Sequence, residues 1–294
     1  MTYPETIDSN TFPALASSLP LVVARNIIHR HYPSHRHDVL EFSLVVAGEG
    51  TEWVNGAPHR MIPGTVSFIQ PYQFHEIVST GTNPLTLLNC MFGLEVVSTF
   101  PLGQGHDRSL IDRFMMADAP EPSVIILSAS DHPRMLRLFT DLFHEFNQQG
   151  MYREALLKLK LLEMLIHYER SRPLHKSTLA VPLPSQYRLA QQMLLFLHQN
   201  YREDISLELM SQHFHMSQAY LCAVIRQYTG KSFLALLHEI RVRHASSLLL
   251  TTDLAMNDIA IEAGFRSVKT FFRVFKQLRD VTPHRYRTAQ KNDT

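Results

Sequence analysis

Two cysteines and one tryptophan are all that the 294 residues hold of those types. Cys90 and Cys222 fall in different halves of the chain. That excludes a disulfide framework and a cysteine-rich zinc site, and it fits a reducing, cytoplasmic setting. No stretch of about 18 apolar residues exists, so no helical membrane span is expected. The N-terminal MTYPETIDSN has no basic segment followed by an apolar core, so no secretion signal is expected either. A phosphate-binding glycine loop, a Ser/His/Asp nucleophile set and low-complexity tracts are also missing. What remains is an ordinary globular composition, 45% hydrophobic and 19% charged, at a length that favours two domains.

The net charge of +1 conceals an asymmetry. Residues 186–294 hold 14 Lys/Arg against 9 Asp/Glu, whereas residues 1–185 hold 14 against 18. A basic C-terminal unit suits a polyanionic partner, and a solvated surface of modest bias would give the same count. Residues from about 20 to 100 read as β. Phe42-Ser43-Leu44-Val45-Val46 is a β-rich run, and Asn55-Gly56 parts two short runs with a hairpin turn whose central residues need positive φ. Pro63-Gly64 marks a turn before Thr65–Ile69. Two helical patterns follow: Met135, Leu138, Phe139, Leu142, Phe143 and Phe146, then Leu156, Leu159, Leu162, Leu165 and Ile166. Ser171 to Ser185, with Pro173, Pro182 and Pro184, reads as a linker between domains of residues 1–170 and 186–294.

The second half carries one motif twice. Helical spacing resumes at Leu189, Met193, Leu194 and Leu197. Ser206 reads as an N-cap ahead of Leu207 and Met210, and Phe214-His215-Met216 as a short break. Ser217 then caps a helix with Leu221, Val224 and Ile225 inward. After a longer helix starting at Ser232, Ile259, Ala260 and Ala263 line a helix that ends at Gly264, where a left-handed turn is wanted. Ser267 caps a last helix with Phe271, Val274 and Phe275 inward. The two capping serines stand 50 residues apart with a helix as spacer.

This tail resembles the AraC/XylS family of regulators. The resemblance is carried by Ser217-x-x-Tyr220-Leu221, Thr229-Gly230-Lys231-Ser232-Phe233, Arg241-x-x-x-Ala245-x-x-Leu248-Leu249, Ile259-Ala260-x-x-x-Gly264-Phe265, Phe271-Phe272-Arg273-x-Phe275-Lys276 and Thr282-Pro283-x-x-Tyr286-Arg287. It implies an all-α double helix-turn-helix whose second helices enter successive major-groove segments on one face of double-stranded DNA. It places Gln218, Ala219, Cys222 and Ala223 toward the bases from the first reading helix, and Val268, Lys269, Thr270 and Arg273 from the second. Arg226, Lys231 and Lys276 are candidate phosphate contacts. The first set is small and mostly apolar, suited to a thymine methyl. The second can make hydrogen bonds to base edges.

In the N-terminal half, His35-x-His37-x-x-x-Glu41 followed by Gly48 resembles the first motif of the cupin barrel. Gly64 and His75 resemble the second, although Gln70, Tyr72 and Ser79 depart from its usual Pro, Gly and Asn. The resemblance implies a β-barrel with a helical pair beside it. In metal-binding cupins three His and one Glu converge on a metal, here His35, His37, Glu41 and His75. The same residues can instead line a ligand pocket, since neutral imidazoles and a carboxylate hydrogen-bond sugar hydroxyls as readily as they bind metals. With 17 His in the chain, His-x-His occurs three times, also at His29-x-His31 and His213-x-His215, so spacing alone carries little. The expectation is a pocket without a cofactor, with Trp53 available to stack on a sugar face.

The whole is expected to be a DNA-binding transcription regulator and not an enzyme. It would be an activator that answers a small-molecule effector, a sugar, as regulators of sugar catabolism with this architecture do. RNA polymerase would be its partner in activation. The helical pair serves either as a homodimer interface or as packing on its own barrel. Two other readings stay open: a metal-dependent cupin enzyme fused to a DNA-binding tail, and a constitutive DNA binder whose barrel only dimerises.

Overall fold

A computed structural model describes residues 5–7, 15, 19–98, 115, 123–172 and 185–291. They fall in two compact units, one within residues 1–15 and 20–183, the other within 16–19 and 184–294. Most of the expected linker, residues 173–184, lies outside the described residues.

Among its described residues the first unit holds ten strands: β1 Glu5–Ile7, β2 Leu21–Ile28, β3 His31–His37, β4 Leu40–Ala47, β5 Gly50–Val54, β6 Ala57–Met61, β7 Thr65–Ile69, β8 His75–Ser79, β9 Leu85–Phe92 and β10 Val124–Ile126. They form two five-stranded sheets, ordered β1-β3-β8-β5-β6 and β10-β7-β4-β9-β2. The β1–β3 pair is parallel and the others are antiparallel. Among the described residues three helices have full bounds, α1 Leu94–Ser98, α2 His132–Asn147 and α3 Arg153–Ser171. The short β1, α1 and β10 carry too few residues to show a period, and the sequence pattern did not announce them.

The turns follow their residues. Asn55 and Gly56 both take positive φ, 51° and 85°, in the hairpin that pairs Val54 with Ala57. Ile62-Pro63-Gly64-Thr65 closes with Thr65 N–H donating to Ile62 O at 2.8 Å, and Gly64 has φ +91°. Proline second and a positive-φ glycine third is the type II pattern.

Every residue of β4 from Leu40 to Val45 is buried, because both of its faces are covered. Glu41 faces the space between the sheets. Phe42 faces the helices, its ring 5.0 Å from that of Phe139 on α2 and 5.1 Å from that of Tyr168 on α3. That explains a run without polar alternation. Helix α2 buries Met135, Leu138, Phe139 and Leu142 of its expected stripe, while Phe143 and Phe146 are half-buried. Helix α3 requires a correction. Its buried stripe is Leu157, Leu161, Met164, Leu165 and Tyr168, whereas Leu156 and Leu159 of the expected stripe are 40% and 58% exposed.

The second unit is helical: α4 Ser185–Asn200, α5 Leu207–Phe214, α6 Gln218–Thr229, α7 Phe233–Thr251, α8 Met256–Glu262, α9 Val268–Arg279 and α10 Pro283–Lys291. Ser206, Ser217, Ser232 and Ser267 each accept a hydrogen bond from the backbone N–H three residues on, at 3.1, 3.3, 3.2 and 3.1 Å. Each cap satisfies a donor the helix cannot, worth about 1 kcal/mol. Both motifs turn through a left-handed residue, His215 at φ 54° in the first and Gly264 at φ 83° in the second. Helix α7 serves both motifs. Its first half buries Phe233, Leu236 and Leu237, and its second half joins Val242, Ala245 and Leu249 to Ile259, Ala260, Phe265, Phe271 and Phe275.

Candidate functional site

Strand alternation aims one set of side chains into the space between the two sheets. Val22, Ala24 and Ile28 of β2, Ile77 of β8, and Leu87 and Met91 of β9 wall a cavity of about 330 Å³. Its polar groups are Tyr32 and His35 of β3, Glu41 of β4, His75 of β8 and Asn89 of β9, with Arg25 and Asn26 of β2. A largely apolar pocket of this size with a few convergent polar groups suits a small molecule.

His35 and His37 lie on β3 in one sheet, and Glu41 on β4 in the other. They therefore meet across the two sheets and do not share the face of one strand. The rings of His35 and His75 stand 4.1 Å apart, and those of His37 and His75 5.3 Å. His35, Glu41 and His75 line the cavity. His37 does not. It is fully buried beside Glu41, with Nε2 at 2.9 Å from Oε2. Trp53 does not line the cavity either. Its neighbours Glu52 and Val54 occupy the buried face of β5, which sends the indole to the opposite face.

The hydrogen bonds fix the imidazoles. His35 Nδ1 meets Pro33 O at 2.9 Å, His37 Nδ1 meets Val39 O at 2.7 Å, and His75 Nδ1 meets Glu52 Oε1 at 3.0 Å. Carbonyl and carboxylate oxygens only accept, so each Nδ1 carries a proton and donates it. His37 Nε2 pairs with Glu41 Oε2 at 2.9 Å, and His75 Nε2 stands 3.6 Å from the same oxygen. Asn89 Oδ1 is a buried acceptor without a partner.

Burial holds His35 down to about 4, with His75 adding to the effect, so His35 is neutral near pH 7 and offers Nε2 as an acceptor. For Glu41, burial works upward, but His75, His37 and His35 outweigh it and hold the carboxyl at about 2. His75 is pushed up: burial opposes its charge, but Glu41 and Glu52 prevail. Glu52 escaped the sequence reading. It is almost fully buried, and it accepts from both His75 Nδ1 and Ser67 Oγ. Its even spacing with Val54 on β5 was the available signal.

The same residues fit a divalent metal ion. His35, Glu41 and His75 offer ligand atoms within 4.8 Å of one another. The Nδ1 bonds to Pro33 O and Glu52 are the outer partners that metal-bound imidazoles commonly have.

In the second unit, Gln218, Ala219, Ala223 and Arg226 are exposed on α6 and Cys222 is half-buried, while Leu221, Val224 and Ile225 turn inward. On α9, Lys269, Arg273 and Lys276 are exposed. Val268 packs on the motif's core. The Thr270 hydroxyl accepts from Ser267 Oγ at 2.9 Å, so it is tied to the cap. Lys231 is held by Glu239 at 2.8 Å, which engages it away from any phosphate.

Two family models match. An AraC-like ligand binding domain matches residues 21–165, and a helix-turn-helix domain matches residues 210–289. Together they span more than half of the chain. The chain belongs to the AraC family. Its cupin-like sheet domain and its double helix-turn-helix are the two parts that the family models describe. Among curated AraC-family relatives, the HTH-type transcriptional activator RhaS of an Enterobacter species is 24% identical over 271 residues, covering 92% of this chain and 93% of that protein. The HTH-type transcriptional activator RhaR of Escherichia coli is 25% identical over 256 residues, covering 87% of each. Similar solved structures include ToxT of Vibrio cholerae, at 13% identity and TM-score 0.38 over 91% of this chain and 97% of that one. Another is the DNA-binding domain of AdpA in complex with a target DNA, at 25% identity and TM-score 0.34 over 35% of this chain and 94% of that one. Among the described residues, no helix is long and apolar enough to cross a membrane.

Proposed function

We propose that this chain is a cytoplasmic transcription activator that binds double-stranded DNA through α6 and α9 and answers a sugar held between its two sheets. One observation carries the reading: a partly open cavity between the sheets, where His35, Glu41, His75 and Asn89 converge, stands in the same chain as two serine-capped helices with exposed outer faces. The Nε2 atom of His35, the Glu41 carboxylate and Asn89 Oδ1 call for donors, and the hydroxyls of a neutral sugar supply them. The relatives RhaS and RhaR are named as transcriptional activators, which supports the sign of regulation. In this reading residues 1–170 sense the effector and dimerise, and residues 186–294 bind DNA. Gln218, Ala219, Cys222, Ala223, Lys269 and Arg273 face bases, and Arg226 and Lys276 face phosphates. RNA polymerase is the partner in activation.

The outer stripe of α3 supports a homodimer. Leu156 and Leu159 are exposed on it, and Met151 and Tyr152 at its start are 80% and 77% exposed. A contiguous apolar strip of this kind is rarely left to water.

The test has two arms. Thermal melting of the full chain against a panel of neutral sugars should find one that stabilises it, by about 2.7 kcal/mol at 100 times its Kd. Selection from random DNA should return a defined site. With about six phosphates contacted, log K should fall with log salt at a slope near −5. A chain that selects no sequence, or melts alike with every sugar, overturns the corresponding arm.

A second reading, a metal-dependent cupin-like enzyme fused to a DNA-binding tail, is favoured by the three converging ligands. A metal held by His35, Glu41 and His75 would supply Lewis-acid polarisation of a bound oxygen. Metal analysis of the purified chain, before and after a chelator, separates the two: a stoichiometric metal removed with loss of thermal stability favours the second.

A further inference from the structure

In the second unit, one turn belongs to the first motif and is held by the second. Residues 201–205 lead from α4 into α5. Arg241, buried midway along α7, donates from Nε to Tyr201 O at 2.8 Å and from Nη2 to Glu203 O at 2.9 Å. Its guanidinium lies 5.9 Å from the ring centre of Phe265, which belongs to the turn of the second motif. Gly264, in that same turn, has φ +83°, and a Cβ there would stand 2.4 Å from Tyr201 O and 2.9 Å from Arg202 Cα. Arg266, the residue before the Ser267 cap, pairs with Asp204.

Three contacts of different kinds thus meet on five residues. The guanidinium is a planar fork with fixed donor directions, so two carbonyls bound together set its orientation and theirs. Gly264 lets the backbones approach where a side chain would part them. The surface pair adds little energy by itself and lies on the same turn. The two motifs otherwise share α7 and little else, since Leu221, Val224 and Ile225 pack in one core and Phe271, Val274 and Phe275 in another.

We propose that this turn is a clamp that locks α6 and α9 at one separation and angle, so that two DNA half-sites are read as a single rigid footprint. Arg241 and Gly264 are positioning residues in it. The proposal rests on the reading that α6 and α9 face DNA. Inserting one base pair between half-sites moves the second by about 3.4 Å and turns it by about 34°. A clamped pair of helices cannot follow both changes.

The experiment uses the full chain and the site it selects from random DNA, with zero, one and two base pairs inserted between the half-sites. One inserted pair should weaken the wild type by about tenfold or more. Arg241→Gln, and separately Gly264→Ala, which drives the two backbones apart, should bind the original spacing less well, yet lose only about threefold on insertion. A wild type indifferent to spacing would overturn the clamp. So would variants weakened by one common factor at every spacing, since a purely structural role predicts that. A second measurement needs no DNA and no Arg241 variant that folds. Spin labels at Ala223→Cys and Lys276→Cys, in a Cys222→Ser background, should give one narrow distance without further substitution and a broader one with Gly264→Ala. A broad wild-type distribution overturns the clamp even where DNA selection fails, and a narrow one with failed selection places the fault in the DNA reading.

Discussion

The two helix-turn-helix motifs share a plan and differ in what fills it. The buried hydrophobic residues of the first motif's own two helices are Met210, Leu221, Val224 and Ile225, none of them aromatic, behind a reading face of Ala219, Cys222 and Ala223. The second packs Phe265, Phe271 and Phe275, with Tyr286 against Phe275 at 5.4 Å, behind Lys269 and Arg273. Interior and exterior have thus diverged together: larger rings inside, longer charged side chains outside. The plan depends on caps and small apolar contacts, and it tolerates either filling.

The largest test of this contrast lies in the cores. Phe271→Ala should cost about 3–5 kcal/mol and Leu221→Ala about 2–5, with the aromatic truncation the worse of the two. Urea unfolding of the full chain followed by circular dichroism measures both. A smaller loss for Phe271→Ala would show that the aromatic core adds nothing to its motif.

Acid should separate the motifs next. Burial, with Arg243 close by, holds His198 on α4 at about 3 against its ordinary 6.5. A histidine depressed in this way must shed its proton to fold. Its contribution is present above pH 6.5 and is lost as pH falls toward 3. By pH 4 the loss should reach roughly 2–3 kcal/mol. His244 on α7, held down to about 4 by burial beside Arg202, acts in the same direction. Hydrogen exchange should therefore show α4 and the middle of α7 losing protection before α9 does, and His198→Phe should restore α4 alone. Simultaneous loss in both motifs, unchanged by His198→Phe, would reject this assignment.

The smallest effect concerns base reading. Lys269→Ala or Arg273→Ala should relax sequence preference under α9 by about 1–3 kcal/mol of discrimination, while Ala219→Gly or Ala223→Gly should shift preference under α6 by less. Random-DNA selection with each variant gives the answer. Information concentrated under α6 and unmoved by the α9 substitutions would reverse the comparison, and a uniform drop in affinity would mean phosphate contact only.

The elements that the sequence made legible are those whose signals are local. Ser217 and Ser267 cap because their hydroxyls reach an N–H three residues away, and Asn55-Gly56 turns because those two residues accept positive φ. The stripe of α3 was misplaced because the helix is apolar on two sides, and period alone does not say which side a sheet will cover. The site was half legible. His35, Glu41 and His75 came from motif spacing, but the meeting of β3 and β4 across two sheets depends on sheet order. Glu52 looks like any solvated carboxylate until Ser67 and His75 are brought to it by strands distant in sequence. Trp53 failed for the complementary reason, since one step along β5 reverses the face.

The scarcity of cysteine has a practical side. Cys90 is sealed in β9, where burial raises its thiol far above the range in which a thiolate forms, whereas Cys222 is only half-buried, on α6. A maleimide dye added to the native chain would therefore mark one atom, and that atom sits on the proposed reading face. The protein carries its own reporter: the rate at which Cys222 is alkylated, with and without an oligonucleotide, would time the docking of the first motif without altering a single residue.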